Sequence, residues 1–484
     1  MENKFTKQYI NGVWREGSST SYYNNTNPYN DEVIVRFKLG NKDDIEEAYE
    51  AAKKAQLEWA KTSPETRKQV LLNVAQIIQE RKNEIITLLI QETGCSYTKA
   101  MAEVLGSVPF LSSILSCADQ VNVPIDLPVN PGGKVNRVIH QPAGVVGIIC
   151  PFNFPIIIAL RAIAPAIAVG NAVVLKADLQ TQITGGTLIA EVFEQAGLPK
   201  GVLNMVNFDV AEVGDYFVEH PIPNIISFTG STNVGRHIGS LCTKNMKRAC
   251  LELGGNNPVI ILEDADLECA VNAMVFGKFY HQGQICVIAN RILVHRKLYS
   301  TFIEKYVERV KAVKYGDPTD PTVFLGPLVN ERQIQKVLQL AETAKREGAT
   351  CLLEGKRIGN IVTPYIFGDV KNDSTLAQTE VFGPIASIIP FDTEEEALTY
   401  ANHTEYGLSS AVFTKDEERG LRFAEKIESG MCHINDISAN MDPTMPFGGV
   451  KLSGMGRYGG RYNLEEFTNV KWISIQKGQR KYPI

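Results

Sequence analysis

Val145-Val-Gly-Ile-Ile-Cys150 begins the stretch that decides the fold. Ala172-Val-Val-Leu-Lys176, Val202-Leu-Asn-Met-Val206 and Asn224-Ile-Ile-Ser-Phe228 follow it as further short apolar runs. Runs of this kind mark strands buried on both faces. Between them lie an apolar helical stretch from Pro155 and a second helix from Thr184 to Gln195, ended near Gly197. Strand alternating with helix predicts a parallel sheet with helical crossovers, whose ligands sit beyond the carboxyl ends of the strands.

Outward from that core the theme repeats. Val259-Ile-Ile-Leu262, Arg291-Ile-Leu-Val294 and Ile385-Ala-Ser-Ile-Ile-Pro390 read as strands, and Tyr299 to Val313 and Asn330 to Glu347 as helices. A second α/β domain therefore begins close to Glu252. Toward the N-terminus, the first forty residues read as short strands and turns. Asn41 caps a helix with Asp43 and Asp44 in its first turn, and Pro64 opens another. Gln120 to Ala143 departs from helical spacing: two extended segments flank Asn130-Pro-Gly-Gly133, a hairpin pattern. Val470-Lys-Trp-Ile-Ser-Ile-Gln476 is a strand with no partner nearby in sequence.

The 484 residues suffice for two or three domains, and a hydrophobic content of 44% with 21% charged describes an ordinary globular chain. A net charge of −5 supplies no basic field, so neither nucleic acid nor an anionic membrane is expected as partner. Pro155 to Leu175 is the most apolar stretch, yet it carries Arg161, Asn171 and prolines and reads as a buried helix and strand, not a span. The N-terminus lacks the apolar core of a signal peptide. Nine cysteines, without any Cys-x-x-Cys, and seven scattered histidines argue against a disulfide framework and against a metal site. A reducing cytoplasm suits this pattern.

Chemistry centres on His281-Gln-Gly-Gln-Ile-Cys-Val-Ile-Ala-Asn-Arg291. A thiolate is a strong nucleophile, and glycine beside it permits close approach of a substrate. A lone cysteine is more often a small buried hydrophobe, so Cys286 needs company to mean more. Glu252, in Leu251-Glu-Leu-Gly-Gly-Asn-Asn-Pro258, could activate water; Asn153, in Pro151-Phe-Asn-Phe-Pro155, could donate to an oxyanion. Nucleophile, base and amide make up an acyl-transfer set. Phe228-Thr-Gly-Ser-Thr-Asn-Val-Gly235 follows a strand and precedes a helix, where backbone N–H groups could receive a phosphate. It is neither Gly-x-Gly-x-x-Gly nor a P-loop. Lys176 ends a buried strand, where its ammonium could meet a ribose hydroxyl or a phosphate.

Pro151-Phe-Asn-Phe-Pro155, Glu252-Leu-Gly-Gly255, Gly283-Gln-Ile-Cys286, Glu380-Val-Phe-Gly-Pro384 and Pro446-Phe-Gly-Gly449 stand in the order and spacing of the NAD(P)-dependent aldehyde dehydrogenases, which the chain resembles over nearly its whole length. The resemblance implies two parallel-sheet α/β domains plus a small β bridging element. Residues 1–119 and 143–251 would bind the dinucleotide, 252–465 would be catalytic, and 120–142 with 466–484 would join subunits into a homodimer or homotetramer. It implies Cys286 as nucleophile, Glu252 as base for thioester hydrolysis, and Asn153 with the Cys286 N–H as oxyanion donors. For NAD or NADP it implies Gly230, Ser231 and Gly235 near the pyrophosphate, Lys176 at the ribose or a phosphate, Glu380 at the nicotinamide ribose and Phe382 close to that ring.

Three departures stand out. Phe152 replaces a common tryptophan. Ala162 and Asn469 stand where many members carry a lysine and a glutamate that relay protons. Lys176-Ala-Asp-Leu179 lacks a frequent terminal glutamate, so an apolar Leu179 on an extended segment, with Asp178 facing away, predicts that NADP is accepted as well as NAD. Ser453-Gly-Met-Gly-Arg-Tyr-Gly-Gly460 resembles benzaldehyde and vanillin dehydrogenases, which points to an aromatic aldehyde as substrate. The alternatives are aliphatic aldehydes or semialdehydes, a CoA-acylating enzyme, which Glu252 argues against, a cysteine hydrolase, and a non-enzymatic binding protein on the same fold, which would not need Cys286, Glu252 and Asn153 together.

Overall fold

A computed structural model describes residues 4–127 and 134–483. Its first sheet has eight strands, of which Leu203–Met205, Ala172–Lys176, Val145–Ile149, Ile225–Thr229 and Arg248–Glu252 run parallel in that order. Antiparallel strands close both edges: Gln8–Ile10 and Val13–Arg15 on one side, Gly454–Met455 on the other. The chain enters at Val145–Ile149, winds one way to Leu203–Met205 and returns to Ile225–Thr229, so the winding reverses between Val145–Ile149 and Ile225–Thr229. A reversal of this kind opens a crevice at the carboxyl ends of the strands. The crossover helix Pro155–Ala168 is buried at every residue and, Arg161 apart, is apolar all round.

In the second sheet Tyr365–Gly368, Ile385–Phe391, Arg291–His295, Pro258–Ile261, Ser409–Phe413 and Met431–Ile434 run parallel, with Thr350–Leu353 antiparallel at one edge. The α/β class with two largely parallel sheets thus agrees with the sequence reading. The strand predicted at the C-terminus finds its partner far back in the chain. Thr468–Gln476 pairs with Lys134–Pro142, which also pairs with Ile125–Leu127. The Pro131-Gly-Gly133 turn lies outside the described residues.

One helix differs from expectation. Ile183–Thr187 is a wide π-type turn, and the regular helix spans only Leu188–Gln195. The Glu92 carboxylate accepts from the N–H groups of Ile183 and Thr184, and a side chain at Gly186 would press on Ala177 and Asn207 at 3.2 Å. Among the described residues one helix, Tyr97–Gln120, is long and apolar enough to cross a membrane by length and composition. It packs on Pro64–Glu80 and Pro155–Ala168 and buries the Lys99–Glu103 ion pair.

Candidate functional site

The carboxyl ends of the first sheet meet the beginnings of the second. Ile149 leads to Asn153, Thr229 leads to Gly230 and Ser231, Ala172–Lys176 ends on Lys176, and Arg248–Glu252 ends on Glu252. Opposite them, the Cys286 loop precedes Arg291–His295 and Glu380–Phe382 precede Ile385–Phe391. Hydrogen bonds tie the two sides. Asn153 Nδ2 donates to Gln284 O at 3.0 Å, leaving its second N–H for another acceptor. Asn257 Nδ2 donates to the carbonyls of Cys286 and Ile288, each at 2.8 Å. Gly255 N donates to Glu380 Oε1 at 3.0 Å, and Phe152 meets Phe382 edge to face at 6.0 Å.

The turn before Cys286 is held under strain. His281, Gln282 and Gly283 take positive φ values of 51°, 56° and 73° in succession. Each non-glycine residue in this region costs roughly 1–2 kcal/mol. Gln282 secures the turn, donating through Nε2 to Gly94 O at 2.8 Å and Pro327 O at 2.9 Å. The result presents Cys286, partly exposed, against an apolar cluster of Ile285, Val287, Ile288, Leu408 and Phe447, with Phe154 and Tyr280 packed on it.

Glu252 is the electrostatic anomaly. It is 2% exposed, and neither carboxylate oxygen has a hydrogen-bond partner. Burial pushes its carboxyl up to about 8, with Arg161 and Arg457 opposing the rise and Glu466 adding to it. Burial likewise raises the Cys286 thiol to about 12; Arg161 opposes, while Glu252 and Glu380 add. Space for the Glu252 carboxylate exists because Gly448 lacks a side chain, whose Cβ would lie 2.9 Å from Oε1.

Of the residues expected to hold a dinucleotide, Lys176 and Gly230 with Ser231 fall at strand ends on either side of Val145–Ile149, and helix starts discriminate among the candidate phosphate sites. The helix Pro155–Ala168 already has its first N–H groups taken: Glu103 Oε1 accepts from Ile156 and Ile157 at 2.9 and 3.2 Å. Glu92 takes the corresponding groups at Ile183 and Thr184. Thr232–Lys244 is different, because the side chain of Ser231 at its cap makes no capping bond. A phosphate therefore fits this helix start and not the other two. Gly230 and Ser231 stand there. Gly235 lies a turn further on, its N–H donates to Ser231 O at 2.9 Å, and a Cβ would fall 2.1 Å from Leu253. Its contribution is close helix packing, not an amide for pyrophosphate. Glu380 lies against Gly254, where a Cβ would be 2.6 Å from Oε2, and Lys336 and Gln333 hold the loop through the carbonyls of Glu380 and Phe382.

At the ribose corner the expected extended segment is absent. Leu179–Thr181 form a 3-10 turn capped by Asp178, which accepts from Gln180 N at 2.9 Å. Leu179 packs on the apolar cluster around Phe37 and Ile183. Lys176 is held below its ordinary range by burial, with the charges of Asp178 and Asp209 opposing. Sequence reasoning missed Arg161, Asn257 and Gly448. A single charge inside an apolar helix was the available signal for Arg161.

A family model described as "Aldehyde dehydrogenase family" matches residues 14–473. The chain is 47% identical to benzaldehyde dehydrogenase YfmT of Bacillus subtilis (strain 168), over 99% of each chain. It is 44% identical to a vanillin dehydrogenase of Corynebacterium glutamicum, over 98% of each. A crystal structure of an NAD-dependent benzaldehyde dehydrogenase from Corynebacterium glutamicum superposes with a TM-score of 0.90 at 42% identity, covering 97% of this chain and 98% of that one.

Proposed function

The chain belongs to the aldehyde dehydrogenase family, and from that premise we propose that it oxidises an aromatic aldehyde of the benzaldehyde or vanillin class to its carboxylic acid. The apolar cluster against which Cys286 packs carries this reading: Phe447 belongs to it, and Phe154 and Tyr280 pack on it as well, so three rings line the surroundings of the nucleophile. The names of the relatives at 44–47% identity support the same class. A bound nicotinamide dinucleotide would accept the hydride. Gly230 and Ser231 at the open helix start would hold its pyrophosphate, Lys176 its ribose, and Glu380 with Phe382 its nicotinamide end, Gly235 serving by letting the helix pack close.

The chain's own groups do the rest. The Cys286 thiol gives its proton to water, and the thiolate sulfur forms a bond to the aldehyde carbon as the carbonyl electron pair moves to oxygen. The free N–H of Asn153 and the backbone N–H of Cys286 donate to that oxyanion. After hydride loss the substrate is a thioester on Cys286. Glu252 takes a proton from water, the hydroxyl adds to the thioester carbon, and the thiolate leaves. A carboxylate with no hydrogen-bond donor of its own is a stronger base than a solvated one, which supports Glu252 in this role.

The division of labour follows: residues 1–119 and 143–251 for the dinucleotide, 252–465 for catalysis, and 120–142 with 466–484 for bridging subunits. Val470 and Trp472, 63% and 66% exposed on the three-stranded sheet, support a homodimer or homotetramer built on that element. A cytoplasmic location and the absence of nucleic-acid and membrane partners complete the reading. Turnover of an aldehyde panel tests it: benzaldehyde and vanillin should show higher kcat/KM than short aliphatic aldehydes of similar reactivity. The reverse order discards the aromatic reading.

A further inference from the structure

Arg161 lies on Pro155–Ala168, 5% exposed, among residues that are otherwise apolar over most of the helix. Among the described residues it has neither a hydrogen-bond acceptor nor an ion-pair partner. Its guanidinium is clamped between two rings, 4.4 Å from the Phe447 centroid and 4.9 Å from that of Tyr458. The clamp is rigid. Phe447 and Tyr458 exchange backbone hydrogen bonds of 2.7 and 2.9 Å, and the Tyr458 hydroxyl is 2.6 Å from Ser227 Oγ. Leaving a buried cation unpaired is costly, and a stacked guanidinium recovers only part of that cost.

What this cation faces gives it a use. Phe447 belongs to the apolar cluster that holds Cys286. Gly448, the next residue, adjoins Glu252 Oε1, and both oxygens of Glu252 are without donors. We infer that Arg161 is a positioning residue for both acid–base steps: its clamped charge favours the Cys286 thiolate and the Glu252 carboxylate in a pocket that otherwise penalises each. This rests on the proposed roles of Cys286 and Glu252. The other groups around Arg161 are Cys150, Cys250 and Tyr458, all buried. Glu252 also faces Arg457 and Glu466, and Cys286 also faces Glu380. Arg457 is committed to the carbonyls of Gly449 and Gly456 at 2.8 and 2.7 Å, and Lys99 and Glu103 pair with each other at the helix start. Among the described residues Arg161 is thus the cation that no other protein group engages by hydrogen bond or ion pair and whose charge reaches both groups, through its seat on Phe447.

The test is the pH dependence of Cys286 alkylation by iodoacetamide, followed by mass spectrometry of the Cys286 peptide without turnover. Arg161→Met keeps length and removes charge; Arg161→Lys keeps charge and loses the stacking plane. The methionine variant should raise the alkylation midpoint by about one unit or more, a tenfold loss of rate near neutrality. The ascending limb of kcat should move the same way, and the lysine variant should restore most of both shifts. A folded methionine variant with the wild-type midpoint overturns the proposal, as does a lysine variant shifted as far as methionine. If methionine does not fold, lysine decides: a midpoint within about half a unit of wild type supports the charge, and a larger rise refutes it. Cys286→Ala separates the underlying reading, since turnover by that variant would sink the roles of the site while leaving the alkylation comparison intact as a measure of Arg161 alone.

Discussion

Glu92 and Glu252 are both buried glutamates, 0% and 2% exposed, and they live in opposite surroundings. Glu92 collects four donors: Asn25 Nδ2, Ile183 N at 2.9 Å, and Thr184 N and Oγ1 at 2.6 Å each. It thereby joins Tyr22–Thr26, Lys82–Thr93 and the wide turn at Ile183–Thr187. Glu252 collects none. Burial raises Glu92 to about 7 against the pull of its donors, and Glu252 to about 8 with only the charges of Arg161 and Arg457 opposing. The difference teaches that a buried carboxylate surrounded by N–H groups is architecture, whereas one stripped of them is held ready to take a proton.

The largest effects would break this contrast outright. Glu252→Gln should lower steady turnover by roughly 10²–10⁴-fold while a first burst of reduced cofactor persists, because only thioester hydrolysis needs the base. Rapid-mixing kinetics with steady rates like wild type would remove Glu252 from that role. Glu92→Gln should do the reverse. It replaces an acceptor-only group by one whose NH2 meets donors, and stability should fall by about 2–4 kcal/mol with kcat per folded molecule unchanged. Denaturant melts set against active-site titration would separate the two.

A smaller effect concerns pH. The folded Glu252 carboxyl keeps its proton to about 8, whereas the unfolded chain loses it near 4.5. The folded state thus binds more protons between those values, and this site's contribution to stability falls as pH rises from about 4.5 to 8. Turnover limited by hydrolysis should climb over the upper part of the same window. Glu252→Gln should match wild type in thermal stability at pH 4 and exceed it at pH 9, by about 2 kcal/mol after relaxation. A glutamine variant that is less stable at pH 9 would mean that Glu252, like Glu92, is held by donors in solution.

How far the sequence anticipates this depends on whether a residue acts through neighbours in the chain or in space. The apolar runs at Val145, Ala172 and Asn224 announce their strands, because burial on both faces leaves a local mark. Cys286, Glu252 and Asn153 are legible as residue types, and their convergence follows once strand ends are known to be where chemistry collects. Thr468–Gln476 could be seen as a strand but not paired, since its partner lies more than 300 positions earlier. Glu92 and Glu103 gave no local sign of their task, because the N–H groups they satisfy belong to other helices. Leu179 reads as extended from the sequence, yet the Asp178 cap folds it into a turn, an Asx preference that the strand pattern before it obscures.

That corner yields the smallest prediction. Missing negative charge at Leu179 favours acceptance of NADP when the sequence stands alone. The fold brings Asp178 and Asp209 toward Lys176, so the corner carries two negative charges against one positive. Both aspartates are caps as well: Asp178 accepts from Gln180 N and Asp209 from Ala211 N, each at 2.9 Å. They resemble Glu92 in using backbone donors, but they lie nearer the solvent, Asp178 half-buried and Asp209 exposed. A 2′-phosphate should therefore be disfavoured, and NAD preferred by about tenfold in kcat/KM, or ~1.4 kcal/mol. Asparagine caps as well as aspartate, so Asp178→Asn and Asp209→Asn should keep the turns and remove only the charge. Each should narrow the preference by about 0.5 kcal/mol, and the effect should shrink in high salt, where screening weakens an exposed charge. Kinetics with both cofactors at two ionic strengths would decide it. Equal use of NAD and NADP by the unaltered chain would return the deciding role to the uncharged Leu179.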